Sequence, residues 1–143
     1  MRVVLDANVF LSALISPHGA PDIIYQAWRA RRFELVTSTV QLDELYYELL
    51  RVSNYPKLRA ILPMHRIGAM VKNMHRSVVL EHLPNLPDGV ELIDPSDDFL
   101  FTMALAGEAD YLVTGDRRAG LLQRGSAGRA RIVSPTTFCA EAL

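Results

Sequence analysis

Four acids, Asp6, Glu44, Asp98 and Asp116, stand where a carboxylate can do more than meet solvent. Asp6 ends the apolar run Val3-Val4-Leu5, which reads as a short buried strand. Asp116 follows a second such run, Ala109 to Thr114, across Gly115. In an open α/β sheet, ligands bind outside the carboxyl ends of the strands, so two acid-tipped strands bring two carboxylates to one edge. Glu44 lies on a segment whose Leu42, Leu45, Leu49 and Leu50 form an apolar helical stripe; Asp98 opens the helix after Asp94-Pro95-Ser96-Asp97. Asp97 is its rival for that position if the helix begins one residue earlier. Each acid also has a plainer use, since Asp caps helices and acids favour helix N-termini.

If the four converge, their charges decide the chemistry. Two carboxylates about 4 Å apart repel by roughly 4 kcal/mol at an effective dielectric of 20. Four together require protonation or a cation. All-oxygen donors select Mg²⁺ or Mn²⁺, one or two ions, over zinc. Such ions activate water and neutralise charge on a phosphate, which suits phosphodiester hydrolysis. Asn8 and Thr114 are placed to orient the ligating carboxylates. His18, His65, His75 and His82 lack the paired spacing of a zinc site and read as surface or structural residues.

The elements that must hold these acids alternate. Strands are expected at Val3–Leu5, Phe33–Thr37, Val90–Ile93, Ala109–Thr114 and Ile132–Val133. Helices are expected after Phe10, from Pro21 to Arg31, from Val40 to Arg51 behind a Ser38 or Thr39 cap, at Lys57–Leu62 and Pro63–Leu80, after Asp98, through Leu121-Leu122, and from Thr136 to Ala142. Arg124 to Arg131 reads as a basic, glycine-containing loop. This alternation implies βαβ crossovers and a parallel sheet of about five strands covered on both faces.

At 143 residues, half of them apolar, residues 1–143 are expected to form one domain with a sizeable core. One cysteine, Cys139, excludes an internal disulfide and fits a reducing compartment. No apolar run approaches the ~20 residues of a membrane span, and the N-terminus runs straight into a strand, so a cytoplasmic protein is expected. The formal net charge of −1 conceals a polarity. Arg51, Lys57, Arg59, Arg66, Lys72 and Arg76 lie in a stretch without acids, while Glu81 to Asp98 holds acids and no base. Arg51, Lys57, Arg117 and Arg118 are the expected phosphate contacts, which position a nucleic acid without reading it.

Leu5-Asp6-Ala7-Asn8, Ser38 with Leu42-Asp43-Glu44-Leu45, Asp97-Asp98-Phe99-Leu100 and Ala109-Asp110-Tyr111-Leu112-Val113-Thr114-Gly115-Asp116 together resemble PIN-domain ribonucleases. The nearest likeness is to small bacterial toxins of toxin–antitoxin pairs, of the VapC type. The resemblance implies a three-layer α/β/α sandwich and a Mg²⁺- or Mn²⁺-dependent endoribonuclease acting on single-stranded RNA. It also implies a homodimer or higher homo-oligomer and an antitoxin partner, whose landing sites would be the helices at Pro21–Arg31 and Val40–Arg51. Carried over by position, Asp6, Glu44, Asp98 and Asp116 are the four acids, with Asn8 and Thr114 the accompanying polar residues. Arg117-Arg118-Ala119-Gly120, before Leu121-Leu122, departs from the family pattern after the fourth acid. Two other readings are a catalytically weak RNA- or protein-binding regulator and a DNA nuclease of the same chemistry.

Overall fold

The structure is a computed structural model that describes residues 1–62, 64–116 and 120–143. In chain order it runs β1 (Arg2–Leu5), α1 (Ala7–Ile15), α2 (Ala20–Arg29), β2 (Glu34–Ser38), α3 (Thr39–Ser53), α4 (Pro56–Ile61), α5 (Met64–Met74) and β3 (Val78–Leu80). A 3₁₀ turn (Pro95–Asp97) then leads into α6 (Asp98–Ala106), β4 (Tyr111–Val113), α7 (Leu121–Arg124), β5 (Ser126–Ala127), β6 (Ala130–Val133) and α8 (Pro135–Ala142). The strands form one sheet in the order β3-β2-β1-β4-β6-β5, parallel except for β5 against β6. Val3 pairs with Leu35 on one side and Tyr111 on the other, so β1 is central.

Alternation along each strand divides the core in two. Val3, Leu5, Leu35 and Val113 face one layer with Leu45, Met70, Met74 and Phe138, from α3, α5 and α8. Val4, Val36 and Leu112 face the other with Leu100, Met103 and Leu121, from α6 and α7. Helices therefore cover both faces, and the strands read as apolar throughout. Val3, Val4 and Leu5 are at most 1% exposed, burial that stabilises by roughly 2 kcal/mol per side chain. The fold is the expected α/β class, with helices on both faces of a mainly parallel sheet.

Three sequence expectations change. The apolar steps at Met70, Met74 and Val78 suggested a single helix to Leu80, but α5 stops at Met74. A turn through Ser77 intervenes, and the β-branched pair Val78-Val79 adds β3 to β2. Val90–Ile93 is irregular; Val90 and Leu92 pack on the α6 layer without joining the sheet. The segment at 124–131 is a hairpin, β5 returning as β6 around Gly128 at φ 60°. The sheet consequently has six strands instead of about five.

Two local features set the edges. At the carboxyl end, Gln41 is fully buried and donates to the Leu5 carbonyl while accepting from Thr37 Oγ1 at 2.7 Å, tying β1, β2 and α3 together. Ser38 caps α3 by accepting from the Gln41 N–H at 3.1 Å. At the amino end, α2 closes with Arg32 N–H on the Ala27 carbonyl and Arg31 N–H on the Trp28 carbonyl. That six-to-one closure needs a left-handed residue, and Arg31 supplies it at φ 60° where glycine is usual, at a cost of about 1 kcal/mol.

Candidate active site

The strand order reverses between β1 and β4, which places a crevice at their carboxyl ends. Asp6 leaves β1 into this crevice as the N-cap of α1, with its carboxylate accepting from the Asn8 N–H at 3.3 Å. Thr114, just past β4 and fully buried, donates its hydroxyl to Asp6 Oδ2 at 2.8 Å. The same hydroxyl accepts from the Asp116 N–H at 3.2 Å. One threonine thus links the carboxylate of one strand end to the backbone of the next. Asn8, Ser12, Pro21, Gly115, Asp116 and Pro135 line an adjoining cavity of about 460 Å³.

Asp97 comes from the other side, in the turn that opens α6. It is 8% exposed, and its Oδ2 is buried without a hydrogen-bond partner among the described residues. Burial first, and then the charges of Asp6, Asp94, Asp116 and Glu44, push its carboxyl up to about 6. Asp6 is raised as well, chiefly by burial and further by Asp116, against the hydrogen bonds from Thr114 and Asn8. Glu44 reaches in from α3 at the solvent-exposed rim; partial burial, then Asp6 and Glu48, raise its carboxyl. Asp6, Glu44, Asp97 and Asp116 therefore share one electrostatic environment.

Asp98 begins α6 half-buried, more open to solvent than Asp97. The turn geometry distinguishes the neighbours: the 3₁₀ segment ends on Asp97, whose side chain is directed inward while Asp98 enters the helix. Of the expected phosphate contacts, Arg51 is held by Glu48 on its own helix at 2.7 Å, and Lys57 is exposed on α4. Arg117 and Arg118 lie outside the described residues. Gln41 was not anticipated, although a glutamine three residues after Ser38 and four before buried Leu45 shares their inward helix face.

Oxygen donors alone make up the cluster, and the orphaned Asp97 oxygen together with the raised carboxyls suits a small hard cation. As the side chains stand, no three His, Cys, Asp or Glu among the described residues meet closely enough to grip one ion. The donor set, all oxygen, has the chemistry of a hard divalent cation's ligands.

Residues 2–118 match the PIN domain family. The chain is a PIN-domain protein. It is 31% identical over 117 residues to an uncharacterized protein of Methanocaldococcus jannaschii, an alignment covering 82% of this chain and 72% of that one. No solved structure gives a significant match. PIN domains are in general nucleases and generally bind divalent metals, which implies a nucleic-acid substrate. Among the described residues of this PIN domain, no helix is long and apolar enough to cross a membrane.

Proposed function

We propose that this PIN domain is a Mg²⁺- or Mn²⁺-dependent endoribonuclease that hydrolyses single-stranded RNA at the β1/β4 crevice. The observation carrying this reading is the shared environment of Asp6, Glu44, Asp97 and Asp116, with one buried carboxylate oxygen left unpartnered. Asp6 and Asp97 would be the principal ligands, with Glu44 and Asp116 completing the set; Asp97 takes the position that sequence gave to Asp98. When bound, the divalent ion supplies charge neutralisation at the scissile phosphate and a readily deprotonated water.

The chain's own residues do the positioning. Thr114 fixes the Asp6 carboxylate and spaces Asp116 from it. Asn8 faces the 460 Å³ cavity beside Asp116, where its amide can contact the RNA strand. A role as the toxin of a toxin–antitoxin pair, in a homodimer or larger homo-oligomer, follows the sequence resemblance. The antitoxin would cover α2 and α3, whose Ile23, Val40, Tyr46, Tyr47 and Leu50 are exposed.

Incubating purified protein with single-stranded RNA and Mn²⁺ or Mg²⁺, then with EDTA, tests the reading directly. Cleavage should need the ion and vanish in Asp6→Asn. Cleavage that persists in both controls sinks the proposal.

A further inference from the structure

The opposite edge of the sheet, where the strands begin, carries the reverse charge. A cleft of about 880 Å³ crosses it, and among the described residues six arginines line it against three acids, in a chain of net charge −1. Two of these arginines are already engaged. Arg2 meets Glu34 at 3.3 Å and the Gly107 carbonyl at 3.1 Å, while Arg129 meets Asp110 at 2.8 Å. Arg29 lies over the Tyr25 ring. Arg31, Arg32 and Arg76 have no ion pair or side-chain hydrogen bond among the described residues, and all three are exposed. Glu108 is the one acid of the three outside these ion pairs.

Two separate chain segments deliver the unpaired guanidiniums. The closure of α2 turns Arg31 and Arg32 outward beneath β2, and the turn after α5 brings Arg76 beneath β3, next to Asn73 and Ser77. The cleft continues under β1 and β4 to Arg129, before β6. Four strand intervals at about 4.8 Å make it close to 20 Å long. Among the described residues its large aromatic rings, Trp28 and Phe33, are buried and offer bases no aromatic platform. A long, open, cationic groove without a stacking platform suits a phosphate backbone.

Helix α5 joins the two edges. Near its start Arg66 meets Asp22 at 2.7 Å, beside Pro21 of the upper cavity, and its end leads to Arg76. From Arg66 to the end of α5 at Met74 the helix rises about 12 Å, with Lys72 exposed on the way, and the turn that follows carries Arg76.

We infer that the arginine cleft at the amino edge is a second nucleic-acid contact, which holds the phosphates of a single RNA strand whose other portion lies at the carboxylate crevice. This inference rests on the ribonuclease reading for the identity of the strand. Contacts made to phosphate alone are indifferent to sequence and sensitive to salt.

The test compares wild type with Arg32→Glu/Arg76→Glu, and with Arg32→Gln/Arg76→Gln should the reversal prevent folding, judged by circular dichroism. Binding of an oligouridylate of about 20 nucleotides is followed by fluorescence anisotropy in EDTA, over a salt series. Affinity should fall about tenfold at low salt and the logarithmic salt slope should flatten by about 1.4, for two lost single-strand phosphate contacts. With Mn²⁺, KM for the long strand should rise while cleavage of a dinucleotide, too short to reach the lower edge, is unchanged. Unaltered affinity and slope overturn the inference. Displacement of the long strand by inorganic pyrophosphate, at equal phosphate concentration, also overturns it and assigns the cleft to a free anion. Binding in EDTA is read without chemistry: a protein that holds RNA through these arginines yet cleaves none supports this inference and sinks the nuclease reading alone.

Discussion

Asp97 and Asp110 make the comparison between the two ends of the sheet concrete. At the amino edge Asp110 accepts the Arg2 N–H at 2.9 Å and meets Arg129 at 2.8 Å, and these donors hold its carboxyl below the ordinary range. At the carboxyl edge Asp97 has an oxygen with no partner among the described residues, and burial first, then the neighbouring acids, raise its carboxyl to about 6. One aspartate is satisfied by its surroundings and serves the fold. The other is left unsatisfied, and unsatisfied buried charge is what a catalytic or ligand site retains. The same contrast separates Arg2 and Arg129, already paired, from Arg31, Arg32 and Arg76.

Breaking the unsatisfied side should have the largest effect. Asp97→Asn is expected to lower RNA cleavage by about 1,000-fold, or roughly 4 kcal/mol of barrier, and Asp98→Asn by only a few-fold. Single-turnover rates in Mn²⁺ measure both. The opposite ranking would move the third acid to Asp98. Thr114→Val removes the donor that orients Asp6 without removing an acid, and cleavage should fall 10- to 100-fold, roughly. The alkaline shift expected in its pH–rate profile, as Asp6 loses a hydrogen bond that lowers its pKa, distinguishes this from general destabilisation.

Stability sharpens the comparison through its sign. A carboxyl raised from 3.8 to about 6 on folding favours the native state only while protonated. Its contribution therefore worsens as pH rises through that window, and metal-free protein should lose stability on the order of 2 kcal/mol from this group, after allowance for solvent screening. Asp97→Asn should abolish that loss, seen as a urea midpoint above wild type at pH near 8 and close to it near 4. Asp110 has the opposite sign. Its lowered carboxyl adds stability above the ordinary aspartate range and loses it as pH falls, so Asp110→Asn should cost about 1 kcal/mol at neutral pH and less in acid. Equal pH slopes for the two variants would dissolve the distinction.

Sequence reading was strongest where one periodicity ruled. Val3-Val4-Leu5 and Tyr111-Leu112-Val113 are apolar on both faces because helices cover both, and such runs announce a parallel sheet and its two acid-tipped ends. It failed at Val78–Leu80, where a helical spacing from α5 ran on by chance into a β-branched pair whose fate depends on the free edge of β2. The hairpin at 126–133 was hidden because its first strand is only two residues long. At the site, spacing favoured Asp98 and kept Asp97 as its rival; the 3₁₀ turn before α6 buries Asp97 and leaves Asp98 half-buried. Gln41 escaped because its partners, the Leu5 carbonyl and Thr37, belong to different strands. The amino-edge cleft escaped for the same kind of reason, since Arg31, Arg32 and Arg76 become neighbours only through β2 and β3 pairing.

The hydrogen bond from Thr114 to Asp6 closes a separation of 108 positions along the chain. During synthesis at about 5–20 residues per second, the first carboxylate leaves the ribosome several seconds before its threonine exists. A nascent or prematurely ended chain that stops before β4 holds Asp6 with neither Thr114 nor Asp116. The crevice therefore forms only after β4 and the residues up to Asp116 have been translated.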